Sequence, residues 1–275
     1  MKRANKTSEN AAATDPTAPR RRWPRRLAIA LAAIAVVMVL AVAAFLVYAG
    51  DYYHDADTDH ENLVSTAQLP VHRGASYVAF GDPAAEVGIV FYPGAKVEYT
   101  AYAPLMRDLA ERGYLAVCVE MPFNFAFFNV NAADEVRAAY PQVSSWWIGG
   151  HSLGGPMAAQ YAADHADDGA LAGLVLLGAY TASDLSATDL GALVVYGSED
   201  RVLNRDKLAD SEALMPKGAL TVEIPGGNHA GFGAYGPQSG DGTASIDPAE
   251  QQEQTADAVD AYIARRNPSS LAEAA

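Results

Sequence analysis

The apolar positions of the chain follow three different patterns. Residues 27–49 (LAIALAAIAVVMVLAVAAFLVYA) form 23 consecutive positions without a charge. As a helix rising about 1.5 Å per residue, such a run crosses a hydrocarbon core of about 30 Å. Beyond residue 69 come short apolar runs at 87–92, 115–119, 146–148, 171–177, 193–196 and 220–224, rich in β-branched or aromatic residues. Runs of this kind are buried on both faces of a parallel sheet. Helical patterns separate them. Tyr102, Leu105, Met106 and Leu109 fall at i, i+3, i+4 and i+7 before Gly113; further helices are expected at 157–166, 206–214 and 251–266. The alternation predicts right-handed βαβ crossovers in a three-layer α/β sandwich, with a mostly parallel central sheet and helices on both faces. The third pattern is polar and aperiodic. Residues 1–26, rich in Ala, Thr, Asn and Pro, are expected to be a disordered arm, and 267–275 a disordered tail.

Charge orients this layout. The whole chain carries −14, yet residues 1–26 hold eight Lys/Arg against two acids, so the arm is +6 and the remainder −20. Basic residues on one flank of an apolar span place that flank in the cytoplasm. The prediction is therefore a cytoplasmic arm (1–26), a transmembrane anchor (27–49) and an extracytoplasmic body. The competing reading is a cleaved signal peptide, since Val47-Tyr48-Ala49 offers small residues at the cleavage offsets. Apolar regions of signal peptides run only about 7–15 residues, which favours the uncleaved anchor. The arginine pairs Arg21-Arg22 and Arg25-Arg26, separated by Trp23-Pro24, are read as topogenic charge rather than a twin-arginine export signal. Residues 50–70 are acidic and read as a solvated stalk. Within it Asp55-x-Asp57-x-Asp59 looks like the start of a calcium loop, but His60 stands where glycine is needed and Thr66 where glutamate is needed. The acidic excess argues against a nucleic-acid binder. The lone cysteine, Cys118, leaves neither an intramolecular disulfide nor a cysteine metal framework, so folding rests on an apolar core.

The chemistry-bearing segment is Gly149-Gly150-His151-Ser152-Leu153-Gly154-Gly155-Pro156. It contains G-x-S-x-G between a predicted buried strand and a helix rich in small residues. A serine in so tight a turn is strained and projects its hydroxyl above the sheet, and the flanking glycines are needed where side chains would clash. The helix start adds partial positive charge, with the Leu153 N–H as one donor to a developing oxyanion.

In this motif and its context the sequence resembles the α/β-hydrolase family over most of residues 75–266. It is most similar to the small, lidless, dienelactone-hydrolase-like members. The resemblance implies the order nucleophile, acid, histidine. Gly197-Ser-Glu-Asp200 then places the acid at Asp200, with Glu199 as the alternative. Of six histidines, His54, His60 and His72 precede the core, His151 is expected to point away from Ser152, and His165 sits at the solvent end of a helix. His229, in a glycine-rich turn after the last predicted strand, remains as the base. The family draws its second oxyanion donor from the loop at 92–97, here Ala95 or Lys96. It builds a pocket wall where this chain has Phe123, Phe125, Phe127 and Phe128, for which core packing is an equal alternative. Glu120, at the same strand end, stays outside the assignment. About a dozen residues join the strands at 171–177 and 193–196, too few for a helical lid.

These expectations combine into an α/β-hydrolase domain at 71–266, acting as a serine hydrolase on a small-molecule ester, with the membrane as a further partner and the oligomeric state left open. No metal or organic cofactor and no nucleic acid is implied. Acyl transfer to an envelope glycan or lipid is the alternative within enzymes, and a catalytically silent membrane-tethered binding module the alternative outside them.

Overall fold

A computed structural model describes residues 25–58 and 60–266; the expected arm up to residue 24 and the tail at 267–275 lie outside the described residues. The chain divides into two units, Met1–Tyr48 and Ala49–Ala275. In the first, the apolar run forms one helix, α1 (Arg25–Gly50), long and apolar enough to cross a membrane. Ile29, Val36, Val37, Met38, Val39 and Leu40 are all exposed around its circumference, so no single stripe is reserved for a core.

The second unit is built on one eight-stranded sheet. In chain order its elements are β1 (Val71–Arg73), β2 (Tyr77–Phe80), β3 (Val87–Tyr92), α2 (Ala103–Glu111), β4 (Leu115–Val119), α3 (Ala132–Ala139), β5 (Ser145–His151), α4 (Gly154–Asp164), β6 (Leu171–Leu177), β7 (Gly191–Gly197), α5 (Arg205–Ser211), β8 (Leu220–Ile224) and α6 (Pro248–Arg266). The sheet order is β1-β2-β4-β3-β5-β6-β7-β8. β1 and β2 pair antiparallel with each other and β2 antiparallel with β4; β4, β3, β5, β6, β7 and β8 are mutually parallel.

Alternate residues of each central strand feed separate cores on the two faces. Ile89 and Phe91 of β3 join Leu105, Met106 and Leu109 of α2 and Val259 and Ile263 of α6. Val90 and Tyr92 join Val136 of α3 and Ala158, Ala159 and Ala162 of α4. Burial on both faces is why these strands read as continuous apolar runs rather than alternating ones. The same layering carries the C-terminal ends of β3, β5, β6, β7 and β8 to one edge of the sheet, where the loops after them meet.

Two short strands and one helix were not anticipated. β1 is three residues long, with His72 and Arg73 exposed at the sheet edge, and β2 has only four residues. α3 is mostly alanine and charge, with Val136 its one large buried side chain. Residues 50–70 depart from the expected solvated stalk, because they pack onto the body. Tyr53 bridges Val97: its N–H donates to the Lys96 carbonyl at 2.7 Å, and the Glu98 N–H donates to the Tyr53 carbonyl at 2.9 Å. Leu63 and Leu69 enter the core. The carboxylates that suggested solvation close turns instead. Asp57 Oδ2 accepts from the Asn62 backbone and side chain at 2.7 and 3.0 Å, and Asp55 Oδ1 accepts from the Asp57 N–H at 3.0 Å. The folded body thus begins near residue 51 rather than 71.

Candidate active site

The turn after β5 is tight and closely packed. Ser152 sits at φ 50°, a left-handed conformation that costs a non-glycine residue about 1–3 kcal/mol and persists only where its surroundings enforce it. Its N–H donates to the Leu177 carbonyl of β6 and its carbonyl accepts from the Gly155 N–H, both at 3.0 Å. A Cβ on Gly150 would collide with the Gly154 backbone, and one on Gly154 with the Tyr92 and Pro93 carbonyls. The two glycines let β5, α4 and the end of β3 approach closely enough to hold Ser152 in this geometry. Leu153 then opens α4, where first-turn amides lack intrahelical partners.

The loop after β7 supplies Asp200 and the loop after β8 supplies His229; both are almost wholly buried. The Nδ1 of His229 lies 2.8 Å from Asp200 Oδ2. The other carboxylate oxygen accepts from the Val202 and Leu203 N–H groups at 2.9 and 2.8 Å. With its acceptors so used, Asp200 has one direction left, toward the ring. The histidine loop is clamped from α6: Gln251 Oε1 accepts from the Asn228 N–H at 3.0 Å, and Gln251 Nε2 donates to the Asn228 carbonyl at 2.7 Å. His229 Nε2 is buried and makes no hydrogen bond among the described residues. Gly178, at φ 52°, lies beside the pair, and a Cβ there would approach His229 Nδ1 and Asp200 Oδ2 to 3.0 and 3.1 Å. Glu199 turns elsewhere, accepting from its neighbour Ser198 Oγ at 3.3 Å. Glu120 is exposed at the end of β4.

Ser152 and His229 open onto one cavity of about 230 Å³, walled by Pro156, Tyr180, Val202 and Leu203. None of the four phenylalanines expected as its wall lines it. Phe125 is buried, whereas Phe123, Phe127 and Phe128 are half exposed and touch one another, with ring centroids 4.5 to 5.6 Å apart. The wall comes instead from the start of α4 and from residues after β6 and β7, which the aromatic content of the 121–129 loop obscured. The connection from β6 to β7 contains no helix, so no helical lid comes from there. A larger cleft of about 500 Å³, lined by Arg107, Asp108, Glu111, Arg112, Glu250 and Glu253 among others, has neither serine nor histidine in its lining.

The loop after β3 separates the two oxyanion candidates. The Lys96 N–H donates to the Asn124 carbonyl at 2.8 Å, and the Gly94 N–H donates to Tyr102 Oη at 3.0 Å. Lys96 therefore has no amide to offer an oxyanion, which corrects its candidacy and leaves Ala95.

Tyr102 also ties this loop to the serine turn, a connection the sequence reading missed. Besides accepting from Gly94, its buried hydroxyl lies within hydrogen-bond distance of His151 Nδ1, 2.8 Å away. The ring of His151 lies 4.5 Å from that of His229. Burial first, and the adjacent His229 second, hold the His151 imidazole well below its ordinary value of 6.5. The folded chain keeps it neutral where the unfolded chain protonates it, so the unfolded state binds the extra proton below pH 6.5. Stability from this group is complete above about pH 6.5 and is lost as the pH falls beneath it. Thermal melts from about pH 7.5 to 5 should show Tm falling with acidity, and His151→Asn, which cannot titrate, should flatten that slope. Parallel slopes in both proteins would remove His151 as the cause.

A mostly parallel sheet flanked by helices, with serine, carboxylate and histidine on the loops after β5, β7 and β8 at one edge, defines an α/β hydrolase. The sequence profile of the alpha/beta hydrolase family matches residues 88–254, and the chain belongs to that family. Three solved structures share the fold. A membrane phospholipase A, described as a novel bacterial virulence factor, aligns with a TM-score of 0.56 at 15% identity, over 85% of this chain and 98% of that one. An α/β hydrolase from the sediment metagenome of the Mar Chica lagoon, Morocco, gives 0.54 at 14% identity, over 72% and 99%. A mutant of the esterase rPPE gives 0.51 at 17% identity, over 72% and 85%. No curated protein matches the sequence.

Proposed function

We propose that this α/β hydrolase is a serine hydrolase that cleaves small carboxylic esters and is held at the outer face of the cytoplasmic membrane by α1. The observation that carries the reading is the buried Asp200–His229 pair opening, with Ser152, onto one cavity. A serine hydroxyl is a weak nucleophile until a neutral imidazole takes its proton, and the imidazole needs an acceptor to fix its tautomer. Asp200 on Nδ1 leaves Nε2 of His229 as that base. The hydroxyl oxygen of Ser152 attacks the ester carbonyl while His229 takes its proton. The Leu153 and Ala95 N–H groups stabilise the oxyanion. His229 gives the proton to the departing alcohol, leaving the acyl group on Ser152; water, losing a proton to His229, then attacks the acyl carbon, and Ser152 Oγ leaves with that proton as the acid is released. The basic arm, the apolar helix and the acidic body set the orientation proposed for the domain.

The cavity sets substrate size. About 230 Å³ is small beside typical ligand pockets of about 300–1,000 Å³, and the 178–190 connection contains no helix to cover a longer chain. Each buried methylene contributes about 0.8 kcal/mol, a gain that ends where the acyl chain reaches water. Across p-nitrophenyl esters from acetate to palmitate, kcat/KM should peak at the short end. A steady rise to palmitate would contradict the small-ester reading.

A further inference from the structure

The loop between β4 and α3 breaks the usual rules for the surface of this body. Among described residues 51–266, large apolar side chains are exposed at six positions, and three of them, Phe123, Phe127 and Phe128, fall in this one loop. Their rings touch and still leave about half of each residue open. The backbone holds this display at a cost, since Phe123 and Asn124 both have positive φ, at 56° and 58°. Residues 121–133 (MPFNFAFFNVNAA) contain no charge, although the chain beyond residue 26 carries −20. Grouped exposed aromatics of this kind mark contact surfaces rather than solvated ones.

Connectivity identifies what the loop meets. Only Asp51 and Tyr52 separate Gly50, the last residue of α1, from Tyr53, a reach of about 11 Å when fully extended. Tyr53 is hydrogen-bonded to the 96–98 segment, and in that same segment the Lys96 N–H donates to the Asn124 carbonyl in the middle of the aromatic loop. The chain leaving the helix and the phenylalanine loop are therefore fastened to the same strip of backbone. An acidic surface is repelled by an anionic leaflet, so the part of the body suited to approach one is the part without carboxylates. Phenylalanines flanked by Asn124, Asn129 and Asn131 suit the boundary between headgroups and acyl chains.

We propose that Phe123, Phe127 and Phe128 form a second membrane contact, docking into the outer surface of the bilayer that α1 spans. The inference rests on the anchor reading given above.

The test uses the full chain in nanodiscs of phosphatidylcholine and phosphatidylglycerol, with one nitroxide at a time on Phe123→Cys, Phe127→Cys, Val39→Cys in the helix, or Lys217→Cys on a distant exposed turn. Cys118 is fully buried and stays unlabelled. Collision rates with oxygen, which partitions into lipid, and with a water-soluble nickel complex report each environment. At 123 and 127 the oxygen-to-nickel ratio should be several-fold above that at 217 and shifted toward the value at 39. Ratios at 123 and 127 equal to that at 217, with 39 in lipid, would overturn the docking while leaving the anchor standing. Exclusion of both reagents would show a protein surface, such as a second copy of the chain, covering the loop, and would overturn it as well. A water-like ratio at 39 would overturn the anchor reading and the docking with it.

Discussion

Replacing Ser152 by alanine is expected to lower kcat by roughly 10⁶-fold, the loss seen when a nucleophile that works as one unit with its base is removed. The fold should survive. Alanine is smaller, and the left-handed backbone at this position is enforced by the Leu177 and Gly155 hydrogen bonds rather than by the serine side chain. Circular dichroism and Tm close to those of the parent, together with a turnover collapse, would place the loss in the chemistry. Activity within tenfold of the parent would mean that another group attacks the ester.

The choice of acid carries the second-largest expected effect. Asp200→Asn should reduce kcat by about 10⁴-fold, because an amide facing His229 Nδ1 offers the wrong pattern of donors and acceptors and stabilises the other tautomer. Glu199→Gln should change kcat by no more than a few-fold, since that side chain engages Ser198 and not the histidine. The contrast is sharp because the two residues are adjacent, so a general disturbance of the turn would affect both. A damaging Glu199→Gln with a mild Asp200→Asn would reverse the assignment.

The sheet was legible where strands are buried on both faces. β3, β4 and β6 begin and end where their apolar runs do, because such runs have few alternatives to a parallel interior. β1 and β2 escaped notice because short edge strands bury little and need no long apolar run. The segment 50–70 misled for a different reason. Acidic residues mark solvent when read singly, but Asp55 and Asp57 serve as acceptors for turn amides while Leu63 and Leu69 carry the packing.

At the site, motif order brought attention to the residues the structure gathers at one sheet edge, because each follows a strand whose end lies there. What sequence could not supply was the use of individual N–H groups. Ala95 and Lys96 are equivalent as letters, and only the Asn124 carbonyl, 28 residues beyond Lys96 along the chain, separates them. His151 shows the same limit. Its place beside Ser152 suggests a side chain turned away from that of the serine, but says nothing of Tyr102 and the His229 ring that lie against it. The phenylalanines carried an ambiguous signal, since aromatics at a strand end suit a pocket, a core or a surface contact, and exposure alone tells these apart.

The central claim is that Ser152 is a nucleophile activated by His229. It is tested most directly by treating the full chain with a fluorophosphonate, which traps activated serines, and locating the adduct by mass spectrometry. One adduct per chain is expected, on the peptide containing Ser152, forming far more slowly in His229→Ala. An adduct on another residue, or labelling of Ser152 at the same rate without His229, would contradict it.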